Sequence, residues 1–399
     1  MFRDKKQLQD YILSDPICKE VFEIAPTALL VGGFIRDAAL YRESTDRDFI
    51  VQENIVEISN KLKEIFNASK VILKDNSTIR LVLKENKDFT IDLSTASGDT
   101  IRDLQSRDFT INSIAFNPEK GIIDPTGGLF DLEYGLIRSF RRENLLSDPL
   151  RMLRAYRFLA ELNGDIEEGT RLFIMHNAGC LVNVATERIT LEITKLFEAE
   201  AAERAVISAL KDGVLEKVFS IKEDKLSYLI KNISYYFKKV KESPEGLKKY
   251  LDEPFDLGLS LRGVMLLEII AQQSSPDKWR MSLSRKLQNK IRGFLERSKK
   301  ARCLFTYSSS EELYDCLKGF SHNLFEFIFL SGRWELFEPM VRYMEIEKKP
   351  LINGTYIISN LAIKEGTEVG RLLDELKRAQ FCGYIKDKTE AIDYLKKRL

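Results

Sequence analysis

The sequence of 399 residues contains little histidine and little cysteine. The two histidines, His176 and His322, are far apart in the chain, which argues against histidine-based catalysis or metal binding. The five cysteines form no C-x-x-C pair and are odd in number, so we expect reduced thiols in a cytoplasm and no zinc site. They stand at positions 18, 180, 303, 316 and 382.

Long apolar runs are also missing. No run of 18 apolar residues occurs, which predicts that no segment spans a membrane. The first residues, MFRDKKQLQDYILSD, lack the apolar core of a secretory signal. The remaining composition, 44% hydrophobic and 31% charged residues, is typical of a soluble protein with about two to four domains. We therefore expect a cytoplasmic protein without a membrane partner.

The net charge of +1 conceals an asymmetry along the chain. Residues 221–310 carry 19 Lys and Arg against 10 Asp and Glu, whereas the remainder is acidic. Such an excess favours a surface that contacts a phosphate backbone, although a solvated helical face is the alternative. The candidate contact residues are Lys286, Lys290, Lys299 and Lys300.

The pattern of apolar residues changes near residue 145. Before it, TIRLVLKE, DFTIDLST and FTINSIAFNP alternate like strands and are rich in β-branched residues. After it, segments such as DPLRMLRAYRFLAEL and ERITLEITKLFEAEAAERAVISAL show the spacing of helices. The pattern predicts an α+β head of roughly 140 residues, with a mixed sheet and helices, followed by an all-helical remainder.

One segment of the head, LLVGGFIRDAALYRESTDRDFIV, suggests nucleotide chemistry. Gly32 and Gly33 end an apolar strand and start a helix, where the backbone can approach a phosphate closely. DRDFIV is extended again, so Asp46 and Asp48 should lie side by side on one face. Paired carboxylates suit Mg²⁺. Asp92, on another predicted strand, could reach the same metals or could be a strand-end aspartate.

These features together fit nucleotidyl transfer with two Mg²⁺ ions about 3.5–4 Å apart. One ion would lower the pKa of an attacking hydroxyl, and the other would neutralise charge on the leaving pyrophosphate.

Five segments in order make the chain similar to the class II tRNA nucleotidyltransferase and bacterial poly(A) polymerase family. They are LLVGGFIRDAAL…DRDFIV, SRDFTINSIAF, IIDPTGGLFDLEYGLIR, LSDPLRMLRAYRF and ATERITLEITKLF. The resemblance implies a polymerase-β-like nucleotidyltransferase head (1–140), then a neck (141–200), a body (201–310) and a tail (311–399), all helical. It also implies Mg²⁺-dependent addition of nucleotides to a tRNA 3′ end without a nucleic-acid template.

The resemblance assigns roles to matching positions. Asp46 and Asp48 would bind the metals, and Gly32, Gly33 and Arg36 would cradle the triphosphate. Ribose and phosphate contacts would come from Arg107, Asp108 and Asn112. Asp148 and Arg151 would bind the base, with Arg154 and Arg157 further along the same helix, and Arg188 would brace the pocket.

The base-binding pair also follows from chemistry. Asp148 and Arg151 are three residues apart, so on a helix they would share a face. A carboxylate accepts from an exocyclic amino group, and a guanidinium donates to a ring nitrogen. Cytosine and adenine offer that combination on one edge, whereas uracil and guanine reverse it. The alternative is an ordinary surface ion pair.

The choice between CC and full CCA addition depends on one loop. The interval from Asp46 to Asp108 is 62 residues, and DLSTASGDTIRDLQ stands where CCA-adding members have a longer loop. A CC-adding enzyme using CTP is therefore favoured, with a separate enzyme supplying the final A. Full CCA addition with CTP and ATP remains open. The alternatives are an A-adding enzyme or poly(A) polymerase, and a catalytically inactive RNA-binding protein.

Overall fold

The computed structural model describes residues 4–52, 54–73, 77–95, 98–320, 323–361, 363 and 366–398. The chain consists of two compact units, Met1–Ser220 and Ile221–Leu399. His322 and residues 96–97 of the short-loop segment lie outside the described residues. The division into head, neck, body and tail is finer than these two units and stays a prediction.

The first unit is built on a seven-stranded mixed sheet. Its order is β3-β4-β5-β2-β1-β6-β7, in which only β2 and β5 run parallel. The strands are β1 Leu29–Val31, β2 Asp46–Val51, β3 Ala68–Leu73, β4 Thr78–Leu83, β5 Thr90–Thr95, β6 Ala115–Asn117 and β7 Gly121–Ile123. A small parallel pair, β8 Leu136–Ile137 and β9 Asp165–Ile166, lies outside this sheet.

Helices precede, interrupt and follow the sheet. They are α1 Lys5–Ser14, α2 Pro16–Ile24, α3 Gly33–Ala39, α4 Ile55–Ile65, α5 Thr100–Gln105, α6 Gly128–Glu133, α7 Glu143–Ser147, α8 Leu150–Leu162, α9 Glu168–Asn177, α10 Thr186–Glu198, α11 Ala202–Lys211 and α12 Val214–Phe219. 3-10 turns cover Thr110–Asn112 and Ala178–Asn183. The α+β head is thus confirmed, but the TIN of FTINSIAFNP is a 3-10 turn rather than part of a strand.

Strand β2 is held in place from the face opposite its aspartates. Because side chains alternate along a strand, Arg47 points away from Asp46 and Asp48. Its buried guanidinium pairs with Asp15 at 2.7 Å, donates to the carbonyl of Ser44, and lies 4.6 Å from the ring centre of Phe34. Asp15 also caps helix α2. These contacts fix which face of β2 the aspartates occupy.

The second unit is helical apart from a short antiparallel pair, β10 Pro254–Asp256 and β11 Leu259–Ser260. Its helices are α13 Glu223–Glu242, α14 Glu245–Leu251, α15 Leu261–Ala271, α16 Arg285–Arg297, α17 Ser310–Lys318, α18 Leu324–Ser331, α19 Phe337–Lys348, α20 Gly354–Leu361, α21 Thr367–Phe381 and α22 Lys388–Lys396. 3-10 turns cover Pro276–Lys278, Ser298–Phe305 and Trp334–Leu336. The all-helical expectation is therefore wrong at β9 to β11. No helix in the described ranges is both long and apolar enough to cross a membrane.

The prediction that all cysteines are reduced is wrong for two of them. Cys303 and Cys316 form a disulfide. The spacing of 13 residues fits no C-x-x-C pattern, but the turn between the 3-10 segment Ser298–Phe305 and helix α17 brings their Cα atoms to 5.9 Å. Cys18, Cys180 and Cys382 are free thiols.

Candidate active site

Asp46 and Asp48 lie on the same face of β2, as the alternation predicts. Asp46 is exposed and accepts a hydrogen bond from Thr90 Oγ1 at 2.7 Å. Burial raises the pKa of Asp48 to about 6, and the carboxylates of Asp92 and Asp46 add to the effect. Arg107 only partly offsets this. The face therefore concentrates negative charge that a cation would relieve.

The two aspartates fit Mg²⁺ because they are adjacent, hard oxygen donors with too little positive charge around them. Among the described residues, no three side chains of His, Cys, Asp or Glu come close enough to hold a metal together. Mg²⁺ commonly takes one or two carboxylates and completes its shell with water and substrate phosphates. Two protein ligands are thus enough for this metal.

Asp92 is placed as predicted but is already paired. It lies opposite Asp48 in the parallel register of β2 and β5. Arg80, on the next strand, donates to both of its carboxylate oxygens at 2.7 and 2.5 Å. This ion pair favours the alternative of a strand aspartate, which contributes to the charge around Asp48, and a metal-binding role for Asp92 stays a prediction.

The Gly32–Gly33 turn lies against the aspartates. Gly32 has a φ of +81°, and a Cβ there would meet Arg107 Nη1 at 3.1 Å and Asp48 Oδ2 at 3.3 Å. Glycine is needed for both conformation and space. The N–H of Gly32 donates to the carbonyl of Ile114 and so does not point to the cavity as a phosphate donor.

Three arginines surround the ring of Phe158 on helix α8. Their guanidinium carbons lie 5.0 Å (Arg36), 5.4 Å (Arg154) and 4.2 Å (Arg157) from its centre. The ring is fully buried, so these cation–π contacts are shielded from water. Phe158 keeps three like charges near one cavity, and we call the four residues the arginine cluster.

Two carboxylates, the partly exposed Asp37 and the buried Glu192, orient this cluster. Asp37 accepts from Nε and Nη2 of Arg36, which leaves Nη1 for Asn112 at 2.7 Å. Glu192 on α10 is buried and ion-pairs with Arg154 at 3.4 Å and Arg157 at 2.7 Å. Opposite charges thus hold the guanidiniums in position before any substrate binds.

Asp108 connects the sheet side of the site to helix α8. It accepts from the N–H of Phe109, from Asn112 Nδ2 and from Arg154. Burial alone would raise the pKa of Asp108, but the charge of Arg154 and these hydrogen bonds outweigh it and lower the pKa. Asp108 is therefore an ionised anchor.

The predicted base-binding pair has a different geometry. Asp148 lies between α7 and α8, in an extended conformation, so it does not share a helix face with Arg151. It accepts from both terminal nitrogens of Arg188, at 3.2 and 2.8 Å, whereas Arg151 donates to the carbonyls of Ser106 and Asn144. Pro149 after Asp148 explains the break, because the residue before a proline disfavours the helical conformation. Burial opposes ionisation of Asp148, but Arg188 outweighs it and lowers the pKa.

One cavity of about 440 Å³ collects the predicted residues of the first unit. Its lining contains every predicted metal- and nucleotide-binding residue except Asp92, and adds only Phe158. These residues are Gly32, Gly33, Arg36, Asp46, Asp48, Arg107, Asp108, Asn112, Asp148, Arg151, Arg154, Arg157, Phe158 and Arg188. Six arginines against four aspartates suit a polyanion bound together with a cation.

The four lysines predicted to bind RNA lie in the second unit. Lys286, Lys299 and Lys300 are exposed. Lys290 is not: its side chain is 10% exposed and pairs with Glu326, which is buried. The prediction for Lys290 is therefore wrong, because its spacing placed it on the inner side of α16.

Family models match two parts of the chain. The Poly A polymerase head domain matches residues 28–138, and the model described as a probable RNA and SrmB-binding site of polymerase A matches residues 165–226. A CC-adding tRNA nucleotidyltransferase of Synechocystis sp. is 28% identical over 394 residues, 93% of each chain. Over these two segments the chain matches models of the poly(A) polymerase family, and along most of its length it is similar to a tRNA nucleotidyltransferase.

Further similar proteins extend the comparison. A CC-adding tRNA nucleotidyltransferase of Halalkalibacterium halodurans is 40% identical over 172 residues, 43% of this chain and 44% of its own. The structure of the Thermotoga maritima CCA-adding enzyme complexed with tRNA superposes with a TM-score of 0.80 at 24% identity. It covers 99% of this chain and 98% of that chain, which shows a shared fold.

The sequence analysis did not identify four residues that support the site: Asp37, Arg47, Phe158 and Glu192. Phe158 follows Arg157 directly and is four residues from Arg154, so helical spacing could have placed it beside Arg154. Glu192 is four residues from Arg188, but its partners are on another helix. Only tertiary structure reveals that contact.

We predict that Phe158→Leu weakens binding of a nucleoside triphosphate about 5- to 30-fold. The reason is the loss of about 1–2 kcal/mol of cation–π interaction that holds the arginine cluster. Equilibrium titration measures the affinity. Phe109→Leu is the matched control, because Phe109 packs edge-on against Phe158 at 5.7 Å and does not line the cavity. Equal affinities of Phe158→Leu and wild type would contradict the role of the ring.

Proposed function

We propose that the protein is a tRNA 3′-terminal nucleotidyltransferase that adds C residues from CTP with release of pyrophosphate. The observation that carries the proposal is the cavity in which the carboxylates of Asp46 and Asp48, the arginine cluster, Asp148 and Arg151 meet. The CC-adding relatives from Synechocystis sp. and Geobacter sulfurreducens, each matched over 93% of this chain, support tRNA as the substrate.

Each group would act on a different part of the substrate. Mg²⁺ held by Asp46 and Asp48 would activate the RNA 3′-hydroxyl and neutralise charge on the pyrophosphate. Arg36, Arg154 and Arg157 are placed to hold the triphosphate, since guanidiniums bind phosphate oxygens in a bidentate way. The 3′-oxygen would then attack the α-phosphate, and the bond to pyrophosphate would break.

Asp148 and Arg151 would select the base. Arg188 fixes the Asp148 carboxylate through two hydrogen bonds, and that carboxylate keeps further lone pairs for an exocyclic amino group. Arg151 is steadied by two backbone carbonyls and retains other N–H donors for a ring nitrogen. A rigid pair of this kind accepts C or A and rejects U or G without a template.

We favour CC addition over full CCA addition. Between β5, ending at Thr95, and α5, beginning at Thr100, only four residues intervene. A purine needs a larger pocket while the primer end stays fixed, and a longer loop could drive that change. Relatives of both kinds match this chain, CC-adding and CCA-adding. A separate A-adding enzyme would then complete the tRNA end.

The decisive test is incorporation into a tRNA that ends at its discriminator base. With CTP and ATP both present, we expect two C residues and then a stop. Each labelled nucleotide is supplied in turn, and the products are resolved on a sequencing gel. Efficient addition of A to tRNA ending in CC would refute CC specificity. A-only tailing would indicate the A-adding or poly(A) alternative, and no incorporation would indicate an inactive RNA-binding protein.

Asp46→Ala and Asp48→Ala should each abolish incorporation, a loss of at least about a thousandfold, because metal ligation contributes several kcal/mol to the transition state. Binding of tRNA should stay within about twofold of wild type. Asp92→Ala serves as the matched control and should lose far less, since Arg80 already holds that carboxylate. Wild-type rates in either Asp46→Ala or Asp48→Ala would remove the metal assignment.

The exposed lysines of the second unit are proposed to hold the tRNA backbone. Replacing Lys286, Lys299 and Lys300 together by alanine should weaken tRNA binding about tenfold or more. The slope of log affinity against log salt should fall by about 0.7 for each lost phosphate contact. A gel-shift titration at several salt concentrations measures both quantities.

The matched control for that experiment replaces three exposed lysines of the first unit, Lys19, Lys61 and Lys63. Their loss should leave the slope unchanged. An unaltered slope in the Lys286, Lys299 and Lys300 variant would show that this basic face does not contact RNA.

A further inference from the structure

A second cavity, of about 690 Å³, lies within the second unit between α14, β10, α16, α18 and α19. Its walls are mainly aromatic and apolar and include Tyr250, Phe255, Phe325, Met340 and Tyr343. A volume of this size suits a small organic ligand, and walls of this kind suit a flat ring.

The cavity also contains a buried ion pair. Glu326 and Lys290 both line it, and they pair with each other. Apart from that pair, neither carboxylate oxygen of Glu326 has a hydrogen-bond partner, although the residue is fully buried. A buried carboxylate normally satisfies its acceptors, so Glu326 has acceptor capacity for a ligand.

A second buried carboxyl group near this ion pair, that of Glu268, also has an oxygen without a hydrogen-bond partner. Glu268 is fully buried, and its Oε1 accepts from Asn323 Nδ2 at 3.0 Å, whereas its Oε2 has no partner. Burial and the neighbouring Glu326 raise the pKa of Glu268 well above its usual value. The buried carboxyl groups of Glu268 and Glu326 thus lie near a single ammonium group, that of Lys290, in an apolar surrounding. This arrangement costs free energy unless a ligand supplies further hydrogen-bond donors.

We propose that this cavity is a second nucleobase-binding site, in which the Glu326–Lys290 pair contacts the pairing edge of an unstacked base. Every base presents a hydrogen-bond donor beside an acceptor on that edge, and a carboxylate beside an ammonium complements it. Of the aromatic walls, Tyr250 and Phe255 are partly exposed and supply stacking surface, which is tolerant of base identity.

The mouth of the cavity is consistent with a base that carries a sugar and phosphate. Lys348 lines the mouth, and the Glu347 carboxylate beside it is paired with Lys377 at 2.8 Å. Lys286 braces the Phe255 wall, with its ammonium 4.2 Å from the ring centre and a hydrogen bond of 2.7 Å to the Phe255 carbonyl.

The base can come from a free nucleoside or from an unpaired tRNA nucleotide. This inference rests on the proposed function, because that function brings nucleotides and tRNA to the protein.

Met344→Trp tests the site, because Met344 lines the cavity and is 47% exposed, so a larger side chain there narrows the mouth without disturbing the core. The matched control is Met175→Trp on α9, where the methionine is 41% exposed. Glu326→Gln removes the carboxylate charge and keeps the shape of the side chain. The melting temperature of this variant is measured to check that it folds. Binding of cytidine and adenosine is measured by equilibrium dialysis, and binding of tRNA lacking its 3′ CCA by gel shift.

We expect about a tenfold loss in Met344→Trp and Glu326→Gln and none in Met175→Trp. A loss confined to nucleosides identifies a free nucleoside as the occupant, and a loss confined to tRNA, with an unchanged salt slope, identifies an RNA base. Wild-type binding of all three ligands by both variants would overturn the site. CTP incorporation by the same variants tests the proposed function separately, since it depends on the cavity of the first unit.

Discussion

The arrangement of the first unit depends on one constraint. Groups of like charge must lie close together in one cavity. Two aspartates on β2 and the guanidiniums of the arginine cluster face the same space. Each set repels itself, so the fold supplies counter-charges from behind: Arg107 near Asp48, Asp37 beside Arg36, and Glu192 between two arginines. Because Asp37 is held on α3, Arg107 just after α5 and Glu192 on α10, the site is preorganised for a polyanion with its cation.

Preorganisation has a local cost that is visible in the structure. Asp48 has a raised pKa because burial and its acidic neighbours oppose its charge, and Gly32 has a positive φ and no space for a side chain beside Arg107 and Asp48. Strain and unbalanced charge of this kind concentrate at functional sites, where a ligand relieves them. The buried Glu268, Glu326 and Lys290 of the second unit show the same imbalance away from the first cavity.

Local patterns were sufficient to predict much of this site. Alternation along DRDFIV placed Asp46 and Asp48 correctly, and the change in apolar spacing near residue 145 predicted the α+β head. What could not be predicted depends on partners distant in sequence. Asp148 was expected on a helix with Arg151, but Pro149 breaks the helix and Arg188, 40 residues away, takes the carboxylate. Lys290 was expected on the surface, but it forms an ion pair with Glu326 of α18.

The most direct measurement is a crystal structure with CTP and Mn²⁺ in place of Mg²⁺, because anomalous scattering locates the metal independently of the protein model. We expect a manganese peak between the carboxylates of Asp46 and Asp48, the triphosphate against Arg36, Arg154 and Arg157, and the base beside Asp148 and Arg151. Manganese bound at Asp92, or a triphosphate outside the cavity of the first unit, would contradict the assignment of this cavity as the active site.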